Sequence, residues 1–369
     1  MSSMKNFALF AIVALSLVSL SSCSTRSDQP GRILKIGVLA PLTGEYATSG
    51  DQIKNGMELA REDLSNGGYD LTIIFEDSCF AKETLTAMTK MIEQDNIEII
   101  GGSFCLTGFI PIIPLLEQHK IIGFNTAANP DMVLNSSYVF STNVPIREDA
   151  KNIADFASNK LKARTAAAIH HTGQFAVDYA KYESKYFEEA GGTIVADEPV
   201  EIAAVDFRTE LTKIKEKNPD VLFVTHLSSP LGTMLKQARE LGINATIVSN
   251  SEAEDPNVIT SAGKASEGFI VSSAEPKIKT DKMQSFTDRY TKRFGIPPTP
   301  LATNAYDAIR IQVMTYNQCN GEVECMKSAL HSLKDYDGIS GRITIREDGA
   351  SSKPNLFKVV KDGSFVEIE

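Results

Sequence analysis

The sequence predicts an α/β fold divided between two lobes, each built on a parallel sheet. Short apolar runs rich in β-branched residues recur along the chain, and segments with helical periodicity separate them. Nearly continuous apolar runs of this kind are typical of strands buried on both faces of a sheet. The regular spacing breaks across residues 125–164, which favours two lobes over the alternative of one long α/β domain.

The strands and helices are predicted in chain order from these runs. Strands of the first lobe are expected at 36–39, 71–75, 97–100 and 121–124. Strands of the second lobe are expected at 166–169, 193–195, 221–224, 246–248 and 269–271. Helices are expected over 281–294, 300–317 and 323–334, and a final pair of strands over 341–345 and 356–360, joined through Asp348-Gly349.

Two of the intervening segments show the helical pattern clearly. Apolar residues at i, i+4, i+7 and i+11 form one stripe facing a sheet, namely Ile53, Met57, Ala60 and Leu64. A second helix includes Phe207, Leu211 and Ile214 and ends before Asn218-Pro219, because the residue before a proline disfavours helix. Strand, helix and strand in this order give right-handed βαβ units.

The N-terminus has the pattern of a lipoprotein signal peptide over residues 1–22. Lys5 precedes an apolar run, and small residues then lead to Leu20-Ser21-Ser22-Cys23, which resembles a bacterial lipobox. We predict that Cys23 carries lipid, that residues 23–32 form a tether, and that lipid alone anchors the chain to a membrane. The alternative is an ordinary signal peptide with an incidental cysteine.

The charge balance argues against nucleic-acid binding. The chain has 37 Lys and Arg against 47 Asp and Glu, with no basic stripe to neutralise phosphates. The sequence also lacks the motifs H-E-x-x-H, G-x-S-x-G and G-x-G-x-x-G, so neither an enzyme nor a cofactor nor a metal site is predicted. His170-His171 is interpreted as a polar pair at a strand end, and His226 as a candidate ligand contact.

The odd number of cysteines is explained if Cys23 is lipidated. Of the five cysteines, Cys79, Cys105, Cys319 and Cys325 then remain. An oxidising compartment favours two disulfides among them. A zinc site is the alternative, but the C-x-x-C spacing is missing and no histidine lies beside either pair.

A series of motifs, in their order and spacing, resembles the leucine/isoleucine/valine-binding family of type 1 periplasmic solute-binding proteins, which are receptors of ABC transporters. The resemblance extends over about residues 33–360. Its motifs are Lys35–Gly44, Gly50-Asp51-Gln52, Gly56–Ala60, Gly67-Gly68, Phe75–Cys79, Gly101–Cys105, Thr126–Pro130 and Asn304–Ala308.

The resemblance implies a fold and a cellular role. It implies two doubly wound parallel-sheet lobes joined by a three-segment hinge, comprising residues 33–143 plus 274–336 and residues 144–273 plus 337–369. It also implies a disulfide between Cys79 and Cys105, and we predict a second between Cys319 and Cys325. The expected protein is a periplasmic, membrane-anchored lipoprotein that binds an amino acid or related small polar solute and delivers it to an ABC permease.

The expected ligand site lies beyond the carboxyl ends of the strands, where loops enter helix N-termini. The first-lobe candidates are Ser49, Phe104, Cys105, Leu106, Thr107, Thr126, Ala127, Ala128 and Asn129. The second-lobe candidates are Gln174, Phe175, His226, Leu227, Ser251 and Glu252. Glu252 is the expected acceptor for a ligand ammonium, and the loops at Thr107 and Thr126–Asn129 are expected to hold a carboxylate.

Several positions depart from the family pattern. Leu106 replaces a hydroxyl residue and Ala128 a threonine, Phe175-Ala176 replaces a tyrosine-glycine pair, and Ser49 and Leu227 stand where tyrosines are common. Because these changes remove hydrogen-bonding groups, the resemblance does not fix the ligand. The alternative function is a lipoprotein of the same fold that binds a protein partner, such as a cell-wall or sensory regulator.

Overall fold

A five-stranded parallel sheet organises the first half of the chain. The computed structural model describes residues 33–126, 136–273, 280–353 and 355–368. Its strands are β1 (Leu34–Ala40), β2 (Leu71–Asp77), β3 (Ile99–Ser103), β4 (Ile122–Asn125) and β5 (Val139–Ser141). They lie in the order β2-β1-β3-β4-β5.

A second sheet is mostly parallel and has seven strands. Its parallel strands are β6 (Thr165–His171), β7 (Thr193–Val200), β8 (Val221–Thr225), β9 (Thr246–Ser249) and β10 (Ile270–Ser273). A small antiparallel sheet follows, of β11 (Tyr336–Gly338), β12 (Gly341–Ile345) and β13 (Ser351–Ser352). The chain then returns to the second sheet as the antiparallel strands β14 (Leu356–Lys361) and β15 (Ser364–Glu367), giving the order β15-β14-β10-β9-β8-β6-β7.

Helices connect the strands and cover the sheets. They are α1 (Ala47–Asn66), α2 (Ala81–Lys90), α3 (Leu106–His119), α4 (Ile146–Asn159), α5 (Gln174–Glu189), α6 (Arg208–Lys217), α7 (Ser228–Glu240), α8 (Pro256–Ala262), α9 (Asp281–Phe294), α10 (Pro300–Gln318) and α11 (Val323–His331). The predicted stripe of α1 is buried, and α1 packs on α10. Gly56 permits this close approach, since a Cβ there would lie 2.2 Å from the Ala302 carbonyl oxygen.

Both sheets are buried on both faces, as the continuous apolar runs predict. Along β1, Ile36 and Val38 belong to one apolar cluster and Leu39 to another. Along β8, Leu222 and Phe223 likewise belong to different clusters. Successive side chains of a strand point to opposite faces, so each sheet separates two layers of helices. This arrangement confirms the predicted α/β fold with doubly wound parallel sheets.

Two details differ from the sequence prediction, and a third observation bears on the predicted lobe boundaries. The interruption at 125–164 contains the short strand β5 and the helix α4. The strands β12 and β14 do not pair with each other, because the intervening chain crosses from the small sheet to the second sheet. Ile339, Ile343 and Ile345 pack in the apolar cluster around β1, although the predicted lobe boundary assigns residues after 336 to the second lobe. The lobe boundaries stay a prediction.

The structure joins the cysteines in the predicted pairs, Cys79 with Cys105 and Cys319 with Cys325. The predicted signal peptide, the lipidated Cys23 and the tether lie outside the described residues. Within the described ranges, no helix combines the length and apolar character needed to span a membrane.

Candidate ligand-binding site

A cavity of about 550 Å³ opens where the carboxyl ends of strands from both sheets meet. Such a volume lies within the range of small-ligand pockets. From the first sheet, the lining residues follow β1, β2 and β3, and are Glu45, Tyr46, Thr48, Ser49, Gln52, Cys79, Phe80, Phe104, Cys105, Leu106 and Thr107. From the second sheet and the start of α10, they are His171, Gly173, Gln174, Phe175, Ile202, Ala203, His226, Leu227, Ser228, Ser229, Pro230, Glu252, Asp255, Asn257, Ser261, Thr299 and Leu301.

Helix N-termini surround this cavity. Six of these helices have no side-chain hydrogen bond at the N-cap, whose residues are Tyr46, Phe80, Cys105, Gly173, Leu227 and Thr299. The first backbone N–H groups of a helix have no intrahelical partner, and the helix dipole gives its N-terminus a partial positive charge. The cavity therefore offers hydrogen-bond donors to an anionic group without a basic side chain.

In the first lobe, the Cys79–Cys105 disulfide holds two loops of the site together. The Thr107 hydroxyl donates to the Cys79 carbonyl oxygen at 3.1 Å, which fixes the start of α3 against the same loop. Tyr46 and Phe104 form an aromatic contact with ring centroids 6.0 Å apart. Burial, with a contribution from Glu45, raises the pKa of Tyr46 to about 12, so this phenol is neutral at physiological pH.

A buried glutamine brings the start of α10 into the site. Gln52 Oε1 accepts hydrogen bonds from the Tyr290 hydroxyl at 2.8 Å and from the Thr299 N–H at 3.2 Å. Its Nε2 donates to the Pro297 carbonyl oxygen at 3.3 Å. One side chain of α1 thus positions a segment that lies far away in the sequence.

In the second lobe, two histidines stand side by side at adjacent strand ends. The β6–β8 register pairs His170 with Thr225, so His171 lies level with His226 one residue further on. Their ring centroids are 5.4 Å apart in an edge-to-face arrangement. Burial lowers the pKa of His171 to about 3 and that of His226 to about 4, so both rings are neutral at physiological pH.

The charged side chains in the cavity are acidic. Among the described lining residues, Glu45, Glu252 and Asp255 are carboxylates and none is a lysine or arginine. Asp255 is buried and accepts the Asn257 N–H at 2.8 Å as the N-cap of α8, whereas Glu45 is exposed. Glu252 follows β9 in a single turn of 3₁₀-helix, where its N–H donates to Asn250 Oδ1 at 3.0 Å.

The structure brings most of the predicted site residues to this cavity. Those that line it are Ser49, Phe104, Cys105, Leu106, Thr107, Gln174, Phe175, His226, Leu227 and Glu252. Thr126 does not, because its side chain is buried and bonds the Ser103 carbonyl oxygen at 3.2 Å. Ser251 lies instead in a minor pocket beside Asp149. Ala127, Ala128 and Asn129 lie outside the described residues.

Sequence reasoning missed several lining residues. His171 was interpreted only as half of a polar pair, since the sequence did not indicate which of two adjacent histidines faces the cavity. The motifs Asp255-Pro256 and Thr299-Pro300 are helix-start signals and could have located two further N-termini. No group of three or more potential metal ligands occurs within the described residues.

The sequence and the fold of this chain resemble those of known proteins. The sequence profile of the periplasmic binding protein family matches residues 33–364. A Leu/Ile/Val-binding protein homolog from Brucella melitensis is 24% identical over 346 residues, covering 91% of this chain and 94% of that protein.

Two solved structures show the same fold. A branched-chain amino acid transporter substrate-binding protein from Streptococcus pneumoniae, in complex with isoleucine, has a TM-score of 0.79 at 21% identity, covering 91% of this chain and 100% of that one. A solute-binding protein of an ABC transporter from Rhodopseudomonas palustris, in complex with 3,4-dihydroxybenzoic acid, has a TM-score of 0.84 at 23% identity, covering 91% of this chain and 96% of that one.

Members of the family bind small solutes outside the cytoplasm for ABC transporters and are not enzymes. The resemblance to the leucine/isoleucine/valine-binding proteins is thus confirmed, and the chain belongs to the type 1 periplasmic binding protein family.

Proposed function

We propose that this chain captures an α-amino acid or a closely related small polar solute in the cavity and presents it to an ABC permease. The observation that carries the proposal is the combination of acidic side chains and helix N-termini around the cavity. Among the described lining residues, every charged side chain is a carboxylate. Helix N-termini form the surrounding walls. A zwitterion offers an ammonium to the carboxylates and a carboxylate to the helix N-termini. A bare carboxylic acid would face the same carboxylates with no cation to compensate.

Glu252 is the proposed partner of the ammonium. Asp255 already serves as a helix cap, and Glu45 is exposed at the opposite wall. Glu252 is half-buried at the carboxyl end of β9, where a closing cleft would shield it from water. A buried charge is tolerated when an opposite charge pairs with it, so the two groups stabilise each other.

The carboxylate is proposed to bind the first lobe at the starts of α1 and α3, beside Ser49 and Thr107. The Thr107 hydroxyl donates to the Cys79 carbonyl oxygen, so the backbone N–H groups of this turn are the donors for the ligand. Hydrogen bonds to a charged group contribute about 1.5–3 kcal/mol each. Since the two ligand charges then contact opposite lobes, binding favours a closed arrangement of the lobes.

The relatives support an extracytoplasmic receptor but differ in ligand, since one is named for leucine, isoleucine and valine and another holds 3,4-dihydroxybenzoic acid. We further propose that lipid on Cys23 anchors this chain to the membrane. The alternative, a lipoprotein that binds a protein partner, requires no small ligand in the cavity.

Titration calorimetry on ligand-stripped protein tests the proposal, with a panel of L-amino acids and 3,4-dihydroxybenzoate as ligands. Glu252→Gln keeps the size of the side chain and removes its charge, so an amino acid that binds the wild type should lose about 3–5 kcal/mol, or roughly two to four decades in affinity. Glu216→Gln is the matched control, because Glu216 is exposed on α6 and does not line the cavity. Binding of dihydroxybenzoate alone would overturn the amino-acid ligand, and binding of no compound would favour the protein-partner alternative.

A further inference from the structure

His171 occupies a position in the cavity that the zwitterion contacts leave unused. It is the last residue of β6, and its ring lines the cavity between the rings of Phe175 and His226. The ring of Phe175 is nearly parallel to it, with an interplanar angle of 20° and centroids 6.5 Å apart. The side chain is 4% exposed, so two aromatic neighbours hold the imidazole in one orientation.

The hydrogen bonds of the backbone fix the tautomer of His171. The Gly173 N–H donates to His171 Nδ1 at 3.0 Å. A backbone N–H can only donate, so Nδ1 is unprotonated and the ring proton resides on Nε2. His226 is held in the same way, since the Leu227 N–H donates to its Nδ1 at 2.9 Å.

His171 Nε2 is therefore a donor without a protein acceptor among the described residues. Burial, reinforced by His226 and His170, lowers the pKa of His171 to about 3 and keeps the ring neutral across the physiological range. A neutral N–H donor binds a carbonyl, carboxamide or hydroxyl oxygen, and a ligand that offers only methyl groups would leave it unsatisfied. A buried donor left without a partner costs about 1–3 kcal/mol.

Glu252 lies on the same wall of the cavity as this donor. Strands β9, β8 and β6 are neighbours, so the ends of β9 and β6 are separated by two strand spacings of about 4.8 Å each. Glu252 follows β9 and His171 ends β6, and both line the cavity. One small ligand whose ammonium meets Glu252 can therefore present its side chain to His171.

We propose that His171 is a ligand-contacting residue that selects amino acids with a hydrogen-bond acceptor in a short side chain over aliphatic amino acids of the same shape. The proposal rests on the proposed function, because it places the ligand ammonium at Glu252. The ring of His226 packs edge-to-face on His171, and its own Nδ1 is bonded to the backbone.

Two isosteric ligand pairs test the selection by calorimetry: L-asparagine against L-leucine and L-threonine against L-valine. The wild type should bind the oxygen-bearing member of each pair at least about tenfold more tightly, a difference of about 1.4 kcal/mol. His171→Phe keeps an aromatic ring beside Phe175 and should abolish that preference, whereas His171→Gln retains an N–H donor and should preserve part of it. His170→Gln is the matched control, because His170 faces Asp197 at 3.2 Å and does not line the cavity.

The pH dependence provides a second readout. A neutral donor predicts a constant preference from pH 5 to 8, whereas tighter binding on acidification would indicate an imidazolium and overturn the proposal. A wild type that binds leucine as tightly as asparagine, and valine as tightly as threonine, would overturn the role of His171 and leave the amino-acid receptor intact. Failure to bind any of the four would overturn the selection by His171, whereas the amino-acid receptor is overturned only if the full panel of L-amino acids also fails to bind. If thermal unfolding shows that His171→Phe does not fold, the comparison of His171→Gln with the His170→Gln control still tests the role of His171.

Discussion

We predict that Glu183, a buried carboxyl of α5, makes the stability of the second lobe depend on pH. It lies on the inner face of α5 with 1% of its side chain exposed, and within the described structure its Oε1 has no hydrogen-bond partner. Asp149 is also buried, where it accepts hydrogen bonds from the Tyr179 hydroxyl at 2.8 Å and the Ser272 hydroxyl at 3.1 Å. Burial, together with Asp149 and Asp197, raises the pKa of Glu183 well above its ordinary value.

The sign of the pH dependence follows from proton binding. A carboxyl whose pKa is raised in the folded state binds more protons folded than unfolded, so its contribution to stability is fully present below its unfolded pKa, about 4.3. That contribution is lost as the pH rises from the unfolded pKa, about 4.3, through the higher pKa of Glu183 in the folded state. Within this window the loss is about 1.4 kcal/mol per pH unit for one proton. Glu183→Gln cannot ionise, so its stability should exceed that of the wild type by a margin that grows with pH.

Urea unfolding followed by circular dichroism, in buffers from pH 5 to 8, measures this margin. Asp149 is present in both proteins, so its own titration contributes to both curves. Glu188→Gln is the control for removing one carboxyl from α5, because Glu188 is exposed and solvated in both states, and its curve should follow the wild type. If the curves of Glu183→Gln and the wild type run parallel, Glu183 does not hold a proton in the folded state and the reasoning fails.

Two further predictions concern the cysteines. Removing the Cys79–Cys105 disulfide, which closes a loop with a sequence separation of 26, should lower the free energy of unfolding by about 3–4 kcal/mol, measured by urea denaturation. Removing the bond between Cys319 and Cys325, with a separation of 6, should cost only about 2 kcal/mol, so equal losses would contradict the loop-entropy argument. Cys23→Ala should release the protein from the membrane fraction or leave its precursor uncleaved; a mature, membrane-bound product would refute lipidation.

The sheets could be predicted from the sequence because burial on both faces leaves a continuous apolar run. The helix α4 was missed although Ile146, Ala150, Ile153 and Ala157 have helical spacing and are buried. Two of these four positions are alanines, whose small apolar surface gives a weak periodic signal. The strand β5 was missed because three residues are too few to show an alternation.

The site could be predicted in part, because a strand's carboxyl end is visible in the sequence but the direction of its last side chains is not. His226 and Glu252 were expected on that basis, and both line the cavity. The pair His170-His171 illustrates the limit. Side chains alternate along a strand, so one ring faces Asp197 on β7 and the other faces the cavity. The packing of β6 on its neighbours determines which of the two rings faces the cavity.

The core of the second lobe also determines the spacing of the strand ends that border the cavity. The register pairs Ile169 of β6 with Val224 of β8, and Phe223 of β8 with Val248 of β9, and all four side chains are buried. A slip of one residue would exchange side chains between the two apolar clusters on opposite faces of the sheet, so the fit of these side chains to their neighbours specifies the register. The same register places the ends of β6, β8 and β9 level with one another. The loops beyond them can therefore change in sequence, while the spacing of the strand ends that carry those loops stays fixed by residues that do not line the cavity.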